Sequence, residues 1–178
     1  NLCMGKSLDE SSQILIDTHN LNTTTKQLSD EKIKAVLDLY ERELKFMPGF
    51  LSLFESLKNR NVKMCVATAS DEVLMNAVDA KLKLTNLFYG NVIFRTDKHE
   101  SKPAPDLFLD AASKLNVKPE ECVVIEDSPN GVKAALNAGM KVIALTGSTN
   151  SKNLKGADLI VNHLNEINPS VIGLLGLI

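Results

Sequence analysis

Short apolar runs separated by amphipathic segments make up the chain from residue 62 onward. Helical patterns at 71–82, 105–115 and 131–138 fill the first three intervals. Strands are predicted from the apolar runs at 62–67, 91–94, 122–126, 141–145 and 159–161. Strands that alternate with helices are typical of a parallel sheet with right-handed crossovers and helices on both faces. The pattern therefore predicts an α/β fold with a three-layered, Rossmann-like sheet.

The first part of the chain lacks strand-like alternation and is helical in pattern. Apolar residues recur at helical spacing from Ile33 onward, and the Ser29-Asp30-Glu31-Lys32 segment before them is expected to supply a capping hydroxyl or carboxylate. A less regular helix is predicted at about 8–16, and a Met-Pro-Gly break at 47–49 marks a hinge into a further helix. We therefore divide the chain into a partial helical portion, residues 1–47, and an α/β core, residues 48–178.

Composition narrows the functional classes. The chain has 178 residues, of which 44% are hydrophobic and 24% charged, and its formal net charge is -2. These values are typical of an ordinary globular protein and give no electrostatic reason to expect nucleic acid or an acidic membrane surface as a partner. No apolar run approaches the roughly 20 residues of a membrane span. Cys3, Cys65 and Cys122 are scattered, which indicates reduced thiols and predicts a cytoplasmic protein.

Two adjacent carboxylates, Glu126 and Asp127, follow the apolar run at 122–125 and precede the Ser-Pro-Asn-Gly start of a helix. In open α/β sheets, ligands bind at the carboxyl ends of the strands. Carboxylate oxygens suit a hard cation such as Mg²⁺, whereas a zinc site would need Cys or His. A plainer interpretation is that the pair only caps the helix that follows. The three histidines are isolated from one another and are interpreted as surface residues without a metal role: His19, His99 and His163.

Two other predicted strand ends also carry polar residues. Thr68 and Ser70 follow the first strand, where hydroxyls and backbone N–H groups can cradle a phosphate, although Ser and Thr also cap helices routinely. Lys102 is followed by Pro103 and Pro105, so its ammonium projects from a stiffened loop and either neutralises a phosphate and a carboxylate or is simply solvated. Together with the acidic pair, these groups suit phosphoryl transfer around a metal ion. A response-regulator receiver domain uses similar groups, but its acidic pair comes first along the chain, so we reject that fold.

Three segments resemble the second, third and fourth motifs of the haloacid dehalogenase superfamily, in the same order and with similar spacing: VKMCVATAS, SKPAPDLF and VVIEDSPNGVKAALNAGM. The similarity is to the branch with a helical cap inserted after the first strand. MGKSLDESSQILID and MPGF look like cap and hinge segments of pseudouridine-5′-phosphatase-type and flavin mononucleotide (FMN) phosphatase-type members, with β-phosphoglucomutase a more distant likeness. The resemblance implies a Mg²⁺-dependent hydrolase that acts on a small phosphorylated metabolite through a phosphoaspartate.

The resemblance also implies a role for each matching residue at the strand ends. Thr68 would bind the phosphoryl oxygens, and Lys102 would hold the nucleophile and the phosphate. Asp127 would ligate Mg²⁺, with Glu126 beside it as a second metal-site carboxylate.

The remaining implied contacts concern the phosphate pocket and the substrate. Ala69 and Ser70 would line the phosphate pocket, and Lys6 in the MGKS segment is a candidate substrate contact, or else a solvated lysine at a helix start. Asp71 and Glu72 stand where the sugar-phosphate mutases carry a lysine for a second phosphate. Acidic residues there would repel such a group, so a β-phosphoglucomutase-like mutase is kept only as an alternative.

The first motif of the superfamily, Asp-x-Asp-Gly, does not occur in the sequence. Asp17 follows apolar residues but lacks the second aspartate, and its surroundings match a cap helix. In relatives the first strand precedes the cap, so we expect this motif on the order of 35 residues before Asn1. That strand would be central, and a sheet without it would leave unpaired backbone on two inner edges. The chain alone is therefore expected to be inactive, with an inert relic or an interaction protein as the alternative to a hydrolase.

Overall fold

The computed structural model describes residues 3, 6–147 and 149–176. Within these ranges the chain forms the helices α1 (Leu8–His19), α2 (Thr25–Glu43), α3 (Phe50–Lys58), α4 (Glu72–Leu82), α5 (Leu84–Leu87), α6 (Asp106–Leu115), α7 (Pro129–Asn137) and α8 (Pro169–Gly173). The strands are β1 (Val66–Thr68), β2 (Val92–Phe94), β3 (Val123–Glu126), β4 (Lys141–Leu145) and β5 (Leu159–Val161). Neighbouring strands are parallel, so the predicted α/β class is confirmed. No helix in the described ranges is both long and apolar enough to cross a membrane.

The strands form two sheets, in agreement with the prediction of a parallel sheet without its central strand. β1 pairs with β2 in one sheet, and β3, β4 and β5 follow in that order in the other. Helix α6 packs against β1 and β2, α7 packs against β3 and β4, and the two helices contact each other. Ala67 of β1 and Val124 of β3 pack against the same apolar cluster. The sheets therefore lie side by side, and within the described residues β1 and β3 each have a strand partner on one side only.

Helices α1 and α2, which precede all the strands along the chain, pack against each other. Each begins with a capping box, formed by Ser7 with Glu10 in α1 and by Thr24 with Gln27 in α2. The predicted helix start at 29–32 was wrong, because α2 begins further upstream and Thr24 caps its N-terminus. Ser29 is instead buried between the two helices, where its hydroxyl donates a hydrogen bond to α1.

The larger sheet lies between two apolar clusters. Alternate side chains of β4 face these clusters, one shared with α6 and α7 and the other with α3 and α8. β4 is buried on both faces because it is the central strand of a parallel sheet. Leu154 is completely buried in the first cluster. The segment 147–155, which is mostly polar in sequence, therefore contributes a core residue, and its Ser148 lies outside the described residues.

Replacing Leu154 by Ala should destabilise the fold, because its side chain is fully buried and its loss would leave a cavity. The expected decrease in the free energy of unfolding is about 2–5 kcal/mol, measured by urea denaturation. Leu174, which is 86% exposed, provides the matched control. Leu174→Ala should change stability by less than about 0.5 kcal/mol. Equal effects of the two substitutions would contradict the placement of Leu154 in the core.

Candidate active site

A buried ion pair joins the two halves of the α/β region. Lys102 lies in the loop between β2 and α6, and Glu126 is the last residue of β3. The Lys102 Nζ and Glu126 Oε2 atoms are 2.7 Å apart, and the two side chains are 7% and 10% exposed. The ammonium also lies 4.7 Å from the centroid of the Phe108 ring, within range of a cation–π interaction. Lys102 is therefore held in the interior and is not a solvated loop lysine.

The second carboxylate oxygen of Glu126 accepts hydrogen bonds from the backbone. Its Oε1 atom lies 3.0 Å from the amide nitrogens of both Asp127 and Ser128. Burial alone would raise the pKa of the Glu126 carboxyl, but the Lys102 ammonium and the Ser128 amide lower this pKa below its ordinary value. Both oxygens are thus satisfied, as a buried carboxylate requires.

Gly131 allows the start of α7 to approach this carboxylate. Ser128 caps α7, and its Oγ atom accepts the Gly131 N–H at 3.0 Å. A Cβ atom on Gly131 would overlap the carboxyl group of Glu126. The Glu126 side chain is therefore confined between Lys102, two backbone amides and the first turn of the helix.

Asp127 has an exposed side chain directly after the buried Glu126. Of the two carboxylates predicted to bind Mg²⁺, that of Asp127 thus lies at the surface and that of Glu126 contacts Lys102. Across the described part of the chain, no group of three or more His, Cys, Asp or Glu side chains is placed to hold a metal ion. Since Mg²⁺ takes about six ligands in octahedral geometry, these two carboxylates do not form a complete magnesium site by themselves.

The predicted phosphate-binding residues lie at the carboxyl end of β1. The Ser70 backbone N–H donates to Thr68 Oγ1 at 3.1 Å, and the two hydroxyl oxygens are also 3.1 Å apart. Ala69 and Ser70 line a cavity of about 890 Å³ between the α1–α2 pair and the ends of β1 and β2. Lys6 lines the same cavity, and its ammonium lies 3.8 Å from Glu10. The structure thus brings Lys6, Ala69 and Ser70 together around one space.

Glu10 connects the helical pair to the loop that carries Lys102. Its carboxylate accepts hydrogen bonds from the Ser101 hydroxyl and from the Ser7 backbone N–H. Because Ser101 directly precedes Lys102, this bridge places the cavity next to the buried ion pair. Burial raises the pKa of Glu10, but the hydrogen bonds from Ser101 and Ser7 and the nearby Lys6 ammonium lower this pKa from 4.5 to about 2.

His99 is buried, which corrects its interpretation as a surface residue. Its Nδ1 atom accepts the Thr96 backbone N–H at 3.1 Å, and its Nε2 atom lies 2.9 Å from Asp110 Oδ2. Since Nδ1 accepts a hydrogen bond, Nε2 carries the proton and donates a hydrogen bond to the Asp110 carboxylate. The imidazole thereby ties the β2–α6 loop to α6. The other two histidines are exposed, as predicted.

The predicted site residues fall into two groups, which are Lys102, Glu126 and Asp127 on one side and Lys6, Thr68, Ala69 and Ser70 on the other. The Glu10 bridge connects them. Sequence reasoning did not identify Glu10, whose local signal was its capping-box spacing, or Arg95, which also lines the cavity and has no motif of its own. Met4 and Gly5 of the MGKS segment lie outside the described residues.

Comparison with known proteins gives consistent relatives. Residues 6–139 match the family model of a haloacid dehalogenase-like hydrolase. A probable pseudouridine-5'-phosphatase from Drosophila melanogaster is 31% identical over 177 residues, which are 96% of this chain and 76% of the fly protein. The β-phosphoglucomutase of Bacillus subtilis is 32% identical over 121 residues, 68% of this chain and 51% of that relative. Among solved structures, a family IA HAD hydrolase from Entamoeba histolytica superimposes with a TM-score of 0.86 and 28% identity, over 98% of this chain and 80% of that one.

Gly131→Ala should destabilise the protein, because the new methyl group would displace a carboxylate that Lys102 and two amides hold in place. We expect the free energy of unfolding to fall by about 1–3 kcal/mol in urea denaturation. Gly147→Ala is the control, since a Cβ atom there would lie 3.8 Å from its nearest neighbour, Met47 Cε. A Gly131→Ala protein as stable as the control would show that Glu126 is not confined as described.

The Glu10 bridge should make stability depend on pH in a defined window. Because the pKa of Glu10 is lowered from 4.5 to about 2 in the folded chain, its contribution is present above pH 4.5 and is lost as the pH falls from 4.5 toward 2. The stability difference between the wild type and Glu10→Gln, measured by denaturation at several pH values, should shrink across this window. The matched control is Glu41→Gln, at an exposed position on α2. A difference that is constant with pH would contradict the bridge.

Proposed function

Because the chain belongs to the haloacid dehalogenase-like hydrolases, we propose that it hydrolyses a phosphomonoester of a small metabolite. The observation that carries this proposal is the buried pair of Lys102 and Glu126 next to the exposed Asp127. An ammonium fixed at the ends of parallel strands stabilises the charge of a transferring phosphoryl group. The phosphatase and the mutase among the relatives support phosphoryl chemistry at this site.

In this proposal the end of β1 binds the phosphoryl group. The Thr68 hydroxyl, the Ala69 backbone N–H and the Ser70 hydroxyl would donate hydrogen bonds to its oxygens. Lys102 would neutralise the phosphate and the attacking carboxylate, and Glu126 would keep the lysine in position. Lys6 would contact the rest of the substrate from the α1 side of the cavity.

The proposed nucleophile is an aspartate that becomes phosphorylated and is then hydrolysed. It would lie on a strand that pairs between β1 and β3. Two observations support this location. β1 and β3 have a partner on one side only within the described residues, and both pack against one apolar cluster. Such a strand would complete one continuous sheet and end beside Lys102.

Mg²⁺ is the proposed cofactor. Asp127 would provide one carboxylate ligand, and the aspartates of the proposed strand would supply others. When bound, the ion would draw negative charge from the phosphoryl oxygens as a Lewis acid. Glu126 would contribute mainly through Lys102, because both of its oxygens already accept hydrogen bonds.

We also propose a cap over the strand ends, a cellular location and a class of partner. Residues 1–47 would form part of a cap over the strand ends, since α1 contributes to the cavity and bonds to the Lys102 loop. The thiols of Cys3, Cys65 and Cys122 are unpaired, which supports a cytoplasmic location. The near-neutral charge favours a small phosphorylated metabolite over nucleic acid or a membrane surface as the partner.

A mutase is the second candidate, favoured by the match to β-phosphoglucomutase. Hydrolysis is preferred because the pseudouridine-5'-phosphatase relative matches 96% of this chain, whereas the mutase matches 68%. The two activities differ in product, because a mutase returns an isomeric sugar phosphate and a hydrolase releases inorganic phosphate.

Asp127→Asn should lower kcat/KM for phosphomonoesters on the order of 100-fold in a protein extended at its N-terminus and assayed with Mg²⁺. The loss is expected because an amide is a weaker ligand for a hard cation than a carboxylate. Asp17→Asn, at an exposed position in α1, is the matched control and should retain activity. Full activity of Asp127→Asn would refute its role. An extended protein that releases no phosphate from any tested ester would instead favour the inert or interaction-protein alternative.

A further inference from the structure

The cavity between the α1–α2 pair and the strand ends is lined by three cations that the proposed phosphoryl chemistry does not use, and one of them, Lys26, forms an ion pair with Asp30. Arg95 follows β2 at its carboxyl end, and Lys32 lies on α2 across the cavity. Ser70, which is proposed to bind the phosphoryl group, lines the same space of about 890 Å³. A substrate bound at Ser70 would therefore extend toward these two side chains.

Arg95 is held close to the phosphate-binding end of β1, and none of the described carboxylates forms an ion pair with it. Its backbone N–H donates to the Ser70 carbonyl at 3.2 Å, which fixes the residue beside the predicted phosphate pocket. Its Nε atom is buried and has no hydrogen-bond partner in the described structure. A buried donor without a partner is costly, by about 1–3 kcal/mol, and such a donor at a cavity wall indicates that a ligand completes it.

Lys32 is likewise held by neutral groups. Its Nζ atom donates to the Ser11 hydroxyl and to the Ser12 hydroxyl, the latter at 3.3 Å. No carboxylate lies within ion-pair distance of Lys32 or Arg95 among the residues that the structure describes. An ammonium has three protons, so two serine contacts leave one for a ligand.

The acidic residues at the cavity are engaged elsewhere. Asp30 forms an ion pair with Lys26 at 2.6 Å, and the Asp71 carboxylate accepts the Leu74 N–H at 3.0 Å as the cap of α4. Asp9 accepts a hydrogen bond from the Ser29 hydroxyl at 2.8 Å. The repulsion expected from Asp71 is thus partly offset by the positive end of the α4 dipole.

We propose that Arg95 and Lys32 form a recognition site for a second anionic group, a carboxylate or a phosphate, on the substrate. The inference rests on the proposed function for the position of the reacting phosphoryl group at Ser70. It narrows the substrate class to metabolites that carry a phosphomonoester and another anion a short distance away. A guanidinium and an ammonium together supply both the planar fork and the point charge that bind such groups.

The test measures binding without turnover, by calorimetric titration of the 178-residue chain in buffer without divalent metal ions. The probes are 3-phosphoglycerate, whose second anionic group is a carboxylate, propane-1,3-diol bisphosphate, whose second anionic group is a phosphate, and glycerol 3-phosphate, which has no second anionic group. The wild type should bind at least one of the first two about tenfold or more tightly than glycerol 3-phosphate. Arg95→Gln and Lys32→Gln should each reduce this preference to less than about threefold. The exposed residues Arg60 and Lys34 provide charge-matched controls, and Arg60→Gln and Lys34→Gln should keep the preference.

Three results would overturn the proposal. These are no preference in the wild type, an unchanged preference in both variants, and equal weakening of all three ligands, which would indicate a purely structural role. Preference for only one of the two probes that carry a second anionic group identifies that group as a carboxylate or a phosphate. An extended protein that hydrolyses no phosphomonoester, while the binding preference remains, refutes the proposed function and leaves the recognition site intact.

Discussion

The arrangement of the site depends on the ion pair between Lys102 and Glu126. Removing two charges from water is unfavourable, and further contacts of both side chains help to offset this cost. Glu126 has two amides and the first turn of α7, and Lys102 has the Phe108 ring. These requirements fix the β2–α6 loop against the end of β3. The Asn137 side chain donates to the Pro103 carbonyl at 2.9 Å and strengthens the same junction.

The position of the helical pair follows from this junction. Ser101 is fixed because it precedes Lys102, and its hydrogen bond to Glu10 then holds α1 above the strand ends. A second connection comes from Lys81 of α4, which donates to the Tyr40 carbonyl of α2 at 2.8 Å. Residues of α1 and α2 line one side of the cavity, and residues at the ends of β1 and β2 line the other. A ligand bound there would contact the helical pair and the sheet at once.

The sequence contained enough information to predict the elements and the strand-end residues, but not the contacts between distant segments. Apolar runs predicted the strands, and polar residues at or after the strand ends made Thr68, Lys102 and Asp127 candidate site residues, because the carboxyl ends of parallel strands meet at one edge. The burial of His99 and the Ser101–Glu10 bridge depend on segments far apart in the chain. Local patterns carry no signal for such contacts. The absence of a first motif did anticipate unpaired inner edges, and the structure has two sheets with β1 and β3 at their borders.

The charges at the strand ends indicate why cations matter to the proposed reaction. Lys102 and Glu126 neutralise each other, so the pair adds little net positive charge for an incoming phosphate. Asp127 adds a negative charge at the surface. A phosphate group would therefore be repelled unless positive charge came from another source. The proposed Mg²⁺ would supply it on the Asp127 side. On this argument, the proposed cofactor compensates for a buried lysine that already has a carboxylate partner, and Arg95 and Lys32 stay available for the second anionic group.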